Sequence, residues 1–478
     1  MPLQKLKIDS FLSSSAVIFL SRAFTALASL AVILWYSRVL PEDEYGHYNN
    51  FWVQVNVFFP LACFGVHAWV ITYAPGTLST ILGKLRVGHY TAYITWFLLV
   101  AVAFAGLQAS LGYVGFALSL LFLLTYAAGL LAESFLIVLR RYKVLLIANL
   151  VYSIAYWLVH AYVLRSGFSL PVVFLYLLGV NILKLLISVP VILSGFSKTD
   201  ATNTGAPADA DIRDLWMHMA VYDIVQSLSG WIDKFIISLV LPAAISATYS
   251  NGSMNIPFLP ILVSAAGSAV ILQLADNKEP NERNSAVMLM NQGGRVLSGV
   301  VFPVFFFLLF FNAEVIHILF PRYANAIPIF IVSLLVLPVR AYSFTSVLQR
   351  LHRGDIINKG AVGEIVIALA IMYPLYLWMG LPGVAFSFVI STYLQAAYYM
   401  WHYTRLLEAD LSDLIPFRNW MQKAIVFGFL FIAIHYTTVQ YLSEKNVLFL
   451  GGAAMLIAIL ASLGLELRKA QNKHHVDS

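Results

Sequence analysis

The chain has 478 residues, of which 60% are apolar and only 11% charged, with a mean hydropathy of +0.81. A soluble domain carries roughly 25% charged residues, and surface shrinks too slowly with mass for a soluble chain of this size to hide so much apolar area. A water-soluble enzyme, a disordered chain and a nucleic-acid-binding domain are excluded, which leaves an all-α polytopic membrane protein. The net charge of +6 is read below from its distribution. A single cysteine, Cys63, rules out a disulfide framework and a cysteine-based metal site. Lys5 and Lys7 precede an apolar stretch that runs to Tyr36 with no cleavage site, so the stretch reads as a first membrane helix.

Apolar runs long enough to span a bilayer, about 20 residues each, number fourteen. They cover 11–36, 50–74, 89–110, 113–139, 143–164, 170–195, 215–241, 246–274, 294–311, 324–349, 359–378, 381–404, 420–441 and 446–466. With a cytoplasmic N-terminus, 21 of the 29 Lys and Arg fall in inner segments. The outer segments hold only Arg38, Arg165, Arg322 and Lys445, and the membrane holds Arg22, Lys184, Lys234 and Arg340. This positive-inside contrast supports the count, puts both termini in the cytoplasm of a plasma (inner) membrane protein, and explains the pI of 9.1 without nucleic acid.

The longest polar connection reads SKTDATNTGAPADADIRD, from Ser197 to Asp214, with the composition of a flexible linker. Six spans precede it and eight follow. The halves match: Val39-Leu40-Pro41 with Tyr48 and Asn50 recurs as Val240-Leu241-Pro242 with Tyr249 and Asn251, and Gln54 falls opposite Asn255. Arg140 finds Arg350, and Leu170-Pro171 finds Leu381-Pro382, at offsets a few residues larger. A six-helix unit brings both copies in from the same side, so the repeat is parallel, with a pseudo-two-fold along the membrane normal. The expected organisation is an N-lobe over 1–196, a cytoplasmic linker over 197–214, a C-lobe over 215–405, and two further helices with a cytoplasmic tail over 406–478.

These residues resemble a known family. Ser21-Arg22 in the first helix, the V-L-P-x-x-x-Y-G-x-Y run from Val39 to Tyr48, Asp233-Lys234 and Gly380-Leu381-Pro382-Gly383 resemble the polysaccharide transport branch of the multidrug/oligosaccharidyl-lipid/polysaccharide exporter superfamily. Val384 and Ala247 depart from the pattern, where it carries Ala and Gly. The resemblance implies a flippase or exporter of lipid-linked oligosaccharides, such as O-antigen or exopolysaccharide units on undecaprenyl diphosphate, and polysaccharide assembly proteins as partners.

Charges at membrane depth are the informative positions, since each costs about 2.5–3.5 kcal/mol on insertion scales. Arg22, Lys184 and Arg340 lie roughly 13 Å or more from the nearer end of their spans at 1.5 Å per residue. They are read either as a cationic lining for an anionic diphosphate or as structurally paired. Lys234 lies near enough to a helix end to snorkel, with substrate contact as the alternative. Asp223, Asp233, Glu133 and Glu364 are candidates for gating or for binding H⁺ or Na⁺ as a coupling ion; interfacial or satisfied carboxylates are the competing reading. Asp223 stands at the repeat position of Arg22, which suggests an Arg22–Asp223 latch between the lobes. Gln54 and Asn255 are polar candidates for a cavity or for interhelical hydrogen bonds. Prolines within spans, Pro60, Pro190, Pro303, Pro338 and Pro374 among them, would kink their helices.

No G-x-x-x-x-G-K-[ST] or H-E-x-x-H motif occurs. With those enzyme signatures missing, the transport that the resemblance implies is the expected function, non-enzymatic, by alternating access and with no cofactor beyond a coupling ion. The alternatives are a membrane glycosyltransferase using Glu42 or Asp43, and a drug or cation antiporter of the same superfamily, which would favour acids in its cavity. All three of the deepest charges are basic.

Overall fold

The computed structural model describes residues 2–197, 209–254, 263 and 282–476, and every regular element among them is a helix. Lipid offers no partner to backbone N–H and C=O groups, so an apolar chain that enters it must satisfy them along its own helix. Nine described helices are long and apolar enough to cross a membrane. The other five expected spans fall on a broken helix, on more polar helices, or partly outside the described residues.

The chain divides into two compact units, Met1–Ala247 and Thr248–Ser478. The first holds α1 (Pro2–Val39), α2 (Glu42–Cys63), α3 (Val66–Ile71), α4 (Pro75–Lys84), α5 (Val87–Leu111), α6 (Phe116–Val138), α7 (Tyr142–Arg165), α8 (Leu170–Ser197), α9 (Asp209–Val240) and the start of α10 (Ala243–Gly252). Helix α1 packs on α7, α6 and α7 pack on α8, and α2 runs against α5 and α9. Phe51, Phe104, Phe122 and Phe174 form the fully buried aromatic core between α2, α5, α6 and α8.

The expected span 50–74 is not one helix. Phe64 and Gly65 both take left-handed backbone conformations, φ 44° and 69°, and separate α2 from α3. Only glycine enters that region at little cost, and a Cβ on Gly65 would also collide with the backbone of Ala220 on α9. Pro60, by contrast, stays within α2.

The second unit contains the rest of α10, then α11 (Glu282–Phe310), α12 (Asn312–Leu319), α13 (Ile327–Leu334), a 3-10 turn at Leu337–Ala341 and α14 (Ser346–Arg350). It ends with α15 (Gly354–Met379), α16 (Leu381–Leu407), the short α17 (Leu411–Leu414), α18 (Phe417–Val439) and α19 (Glu444–Val476). Helices α15 and α16 form a hairpin, and α18 and α19 pack on α11 around Phe307, Phe311 and Phe431. The span expected at 324–349 is broken. Pro338 has no N–H to give and its ring crowds the carbonyl four residues back, and the α-helix ends at Leu334 ahead of the 3-10 turn.

Candidate functional site

The motif shared by the two repeats builds a buried elbow rather than a cavity. Tyr45, Gly46, Tyr48 and Asn50 are all buried in the first turns of α2. His160 Nδ1 lies 2.6 Å from the Tyr156 carbonyl, which only accepts, so Nδ1 carries the proton. Its Nε2 therefore accepts from the Tyr48 hydroxyl at 2.9 Å, leaving Tyr156 to donate to Tyr48 at 2.8 Å. Tyr36 closes the cluster by donating to the His160 carbonyl. Gly46 is pressed on Ala243, where a Cβ would overlap the Ala243 carbonyl. One turn on, the Ser246 hydroxyl donates to Asn50 Oδ1 at 2.6 Å.

Polar side chains continue this α2 contact. Gln54 is fully buried, donates to Ser238 of α9 at 3.2 Å and accepts from Gln108 of α5. The cavity reading of Gln54 is thereby corrected: it joins three helices. Its repeat counterpart, Asn255, lies outside the described residues.

The four deep cations separate into two kinds. Lys184 of α8 is buried and pairs with Glu133 of α6 at 2.5 Å, with exposures of 7% and 12%, and its ammonium also lies over the Tyr152 ring. These two residues, read separately from sequence as a substrate ligand and a gating acid, neutralise each other. Lys234 is buried too, beside Asp233 at 3.6 Å and over the Trp231 ring, so it neither snorkels nor faces an open space. Arg22 and Arg340 are exposed, and neither forms an ion pair among the described residues. Arg340 stands on the 3-10 turn that interrupts its span.

The remaining acids are engaged. Glu364 of α15 is buried and accepts from Thr392 at 2.7 Å and Gln395 at 2.9 Å, both on α16, so it does not reach an interface. Asp223 of α9 pairs with His67 of α3 at 3.3 Å. No Arg22–Asp223 pair is present in this structure, and Asp223 is held by this contact within the first unit instead.

His67, Gln108, Thr392 and Gln395 escaped sequence reading, because each is an ordinary polar residue whose partner lies on another helix. The signal was indirect: a carboxylate within an apolar span must find a donor. A second missed group ties α12 to the α18–α19 hairpin, through Glu314–His435 at 2.9 Å and His317–Glu444 at 3.2 Å. No cluster of three or more metal-ligating side chains occurs among the described residues.

No family model and no curated protein matches the chain by sequence. Solved structures do match in fold. A lipid II flippase, MurJ, in an inward closed conformation is 12% identical with a TM-score of 0.65, covering 96% of this chain and 99% of its own. An inward-facing multidrug resistance MATE family transporter of the MOP superfamily is 12% identical with a TM-score of 0.55, over 80% of this chain and 95% of its own. MATE in complex with MaD5 gives 14%, 0.50, 82% and 95%. The described residues thus share the polytopic helical fold of these solved transporter structures.

Proposed function

We propose that the protein is a transporter of the plasma membrane, with both termini cytoplasmic, that moves lipid-linked oligosaccharide or polysaccharide precursors across the bilayer by alternating access. One observation carries the choice of substrate. Of the deep charges, the two lysines and the acids have partners, whereas Arg22 and Arg340 are exposed and make no ion pair among the described residues. An arginine facing hydrocarbon costs about 2.5–3.5 kcal/mol or more, so exposure at that depth favours a water-filled path. A guanidinium there offers a bidentate fork to a diphosphate. The likeness in fold to a lipid II flippase over almost the full length of both chains supports a lipid-linked cargo. A drug or cation antiporter would instead leave its acids uncompensated.

The test replaces Arg22 and Arg340 with alanine, singly and together. Each loses charge-assisted hydrogen bonds of about 1.5–3 kcal/mol, so export of lipid-linked oligosaccharide by the full-length protein drops at least about tenfold at normal membrane abundance. Cysteines at 22 and 340, with Cys63 replaced by serine, react with aqueous thiol reagents. Export at the wild-type rate with both arginines absent would discard the reading.

A further inference from the structure

The seam between α3 and α9 contains a titratable pair that the transport reading does not use. His67 Nε2 lies 3.3 Å from Asp223 Oδ1, and the two side chains are 24% and 20% exposed, so the pair is shielded but within reach of water. The other end of each group is unfilled: His67 Nδ1 and Asp223 Oδ2 are both buried with no hydrogen-bond partner. No Lys or Arg pairs with this carboxylate among the described residues. With Nε2 protonated and donating to Asp223, the dyad carries one negative charge and a vacant basic nitrogen. One further proton, on Nδ1, makes an imidazolium–carboxylate pair of zero net charge.

The surroundings magnify that difference. Helix α2 brings Cys63, which lies within electrostatic range of Asp223. Helix α5 brings Tyr93, donating to the Cys63 carbonyl. Helix α6 brings Tyr126 and, two turns on, Glu133, which Lys184 already neutralises. Tyr222 adjoins Asp223 on α9, and α4 contributes Leu78 and Ile81 to the cluster under Trp69, with its Lys84 exposed. Among the described residues, His67 is the only cationic partner in place. In such a setting a net charge is costly and a neutral ion pair much less so.

We infer that His67 and Asp223 form a proton-binding dyad whose loading tightens the contact between α3 and α9 and whose unloading releases it. The seam is suited to that switch. Gly65 lies on Ala220 with no room for a side chain, and the Trp216 indole donates to the Phe64 carbonyl at 2.9 Å, so small separations of α9 are felt at once. Helix α9 packs on both α2 and α3, so its release from α3 also reaches the α2 contact. The proton is then the coupling ion; this last step rests on the transport reading above. The protonated dyad holds the seam closed as pH falls.

The binding half is tested without transport. In nanodiscs, the Trp216 fluorescence of the full chain, isolated by difference from Trp216→Phe, titrates with pH in one step, and His67→Gln and Asp223→Asn each abolish it. Asp223→Glu, which keeps the acid, retains the step at a displaced midpoint and guards against a variant that misfolds. A step that survives unchanged in His67→Gln overturns the dyad. For coupling, a gradient of one pH unit supports about tenfold accumulation for one proton per cargo. Proteoliposomes loaded with lipid-linked oligosaccharide should accumulate accordingly, and His67→Gln should transport equally with and without the gradient. An undiminished gradient response in that variant, or a Na⁺-gradient response that it removes, overturns the proton as coupling ion. An intact titration in a wild-type protein that transports nothing would sustain the proton site and defeat the transport reading instead.

Discussion

Lys184 shows how far a residue can be read alone. Its depth was visible from the sequence, and so was the choice between a substrate ligand and a buried pair. The partner was not visible, because Glu133 sits on α6 and the pairing depends on how α6 and α8 lie together. The structure makes the two a unit, and their energetics follow. Removing Glu133 leaves a buried ammonium without a counter-charge, which costs about 3–5 kcal/mol, whereas replacing both groups with apolar side chains is close to neutral. Glu133→Ala should therefore lower the thermal unfolding temperature markedly in detergent, and Glu133→Ala with Lys184→Met should recover most of it. Equal losses in the single and the double variant would show that the pair contributes little. Arg22 and Arg340 differ from Lys184 in being exposed and in having no ion-pair partner among the described residues, which no count of apolar residues reveals.

Helix positions were largely legible, and helix continuity was not. Hydropathy placed a helix at every expected span that the structure describes, but it runs smoothly across 50–74 and 324–349 where the backbone breaks. Proline was an unreliable guide. Pro60, Pro190, Pro303 and Pro374 all lie inside continuous helices, while Pro338 marks a break. The α2–α3 junction has no proline at all: two left-handed residues and the close approach of α9 make it. Gly65→Ala adds backbone strain at φ 69° and a methyl against Ala220. It should destabilise the protein by about 1–3 kcal/mol and weaken the Trp216 hydrogen bond to Phe64, seen as a red-shifted Trp216 emission. An unshifted emission with an unchanged unfolding temperature would mean that α9 yields without loss.

At the scale of the molecule, the Lys and Arg distribution predicts the sides. Reporter fusions at Thr204 and Gln471 should report cytoplasm, and one at Asp43 the opposite side; a cytoplasmic signal at Asp43 would sink the fourteen-span topology. The two helices beyond the repeat were legible as spans but not as part of a core. Lys423 of α18 and Glu466 of α19 pair at 3.1 Å, and Lys423 also donates to the Arg295 carbonyl of α11, so the pair fastens the hairpin to the second unit. The short motif that recurs in the sequence was legible, but the contact of its first occurrence with Ala243 and Ser246 was not. At Gly46 a Cβ would overlap the backbone of Ala243, whereas the second occurrence of the motif carries Ala247 at the matching position. The two segments are therefore not interchangeable, because a methyl at position 46, such as the one Ala247 carries, has no room against Ala243.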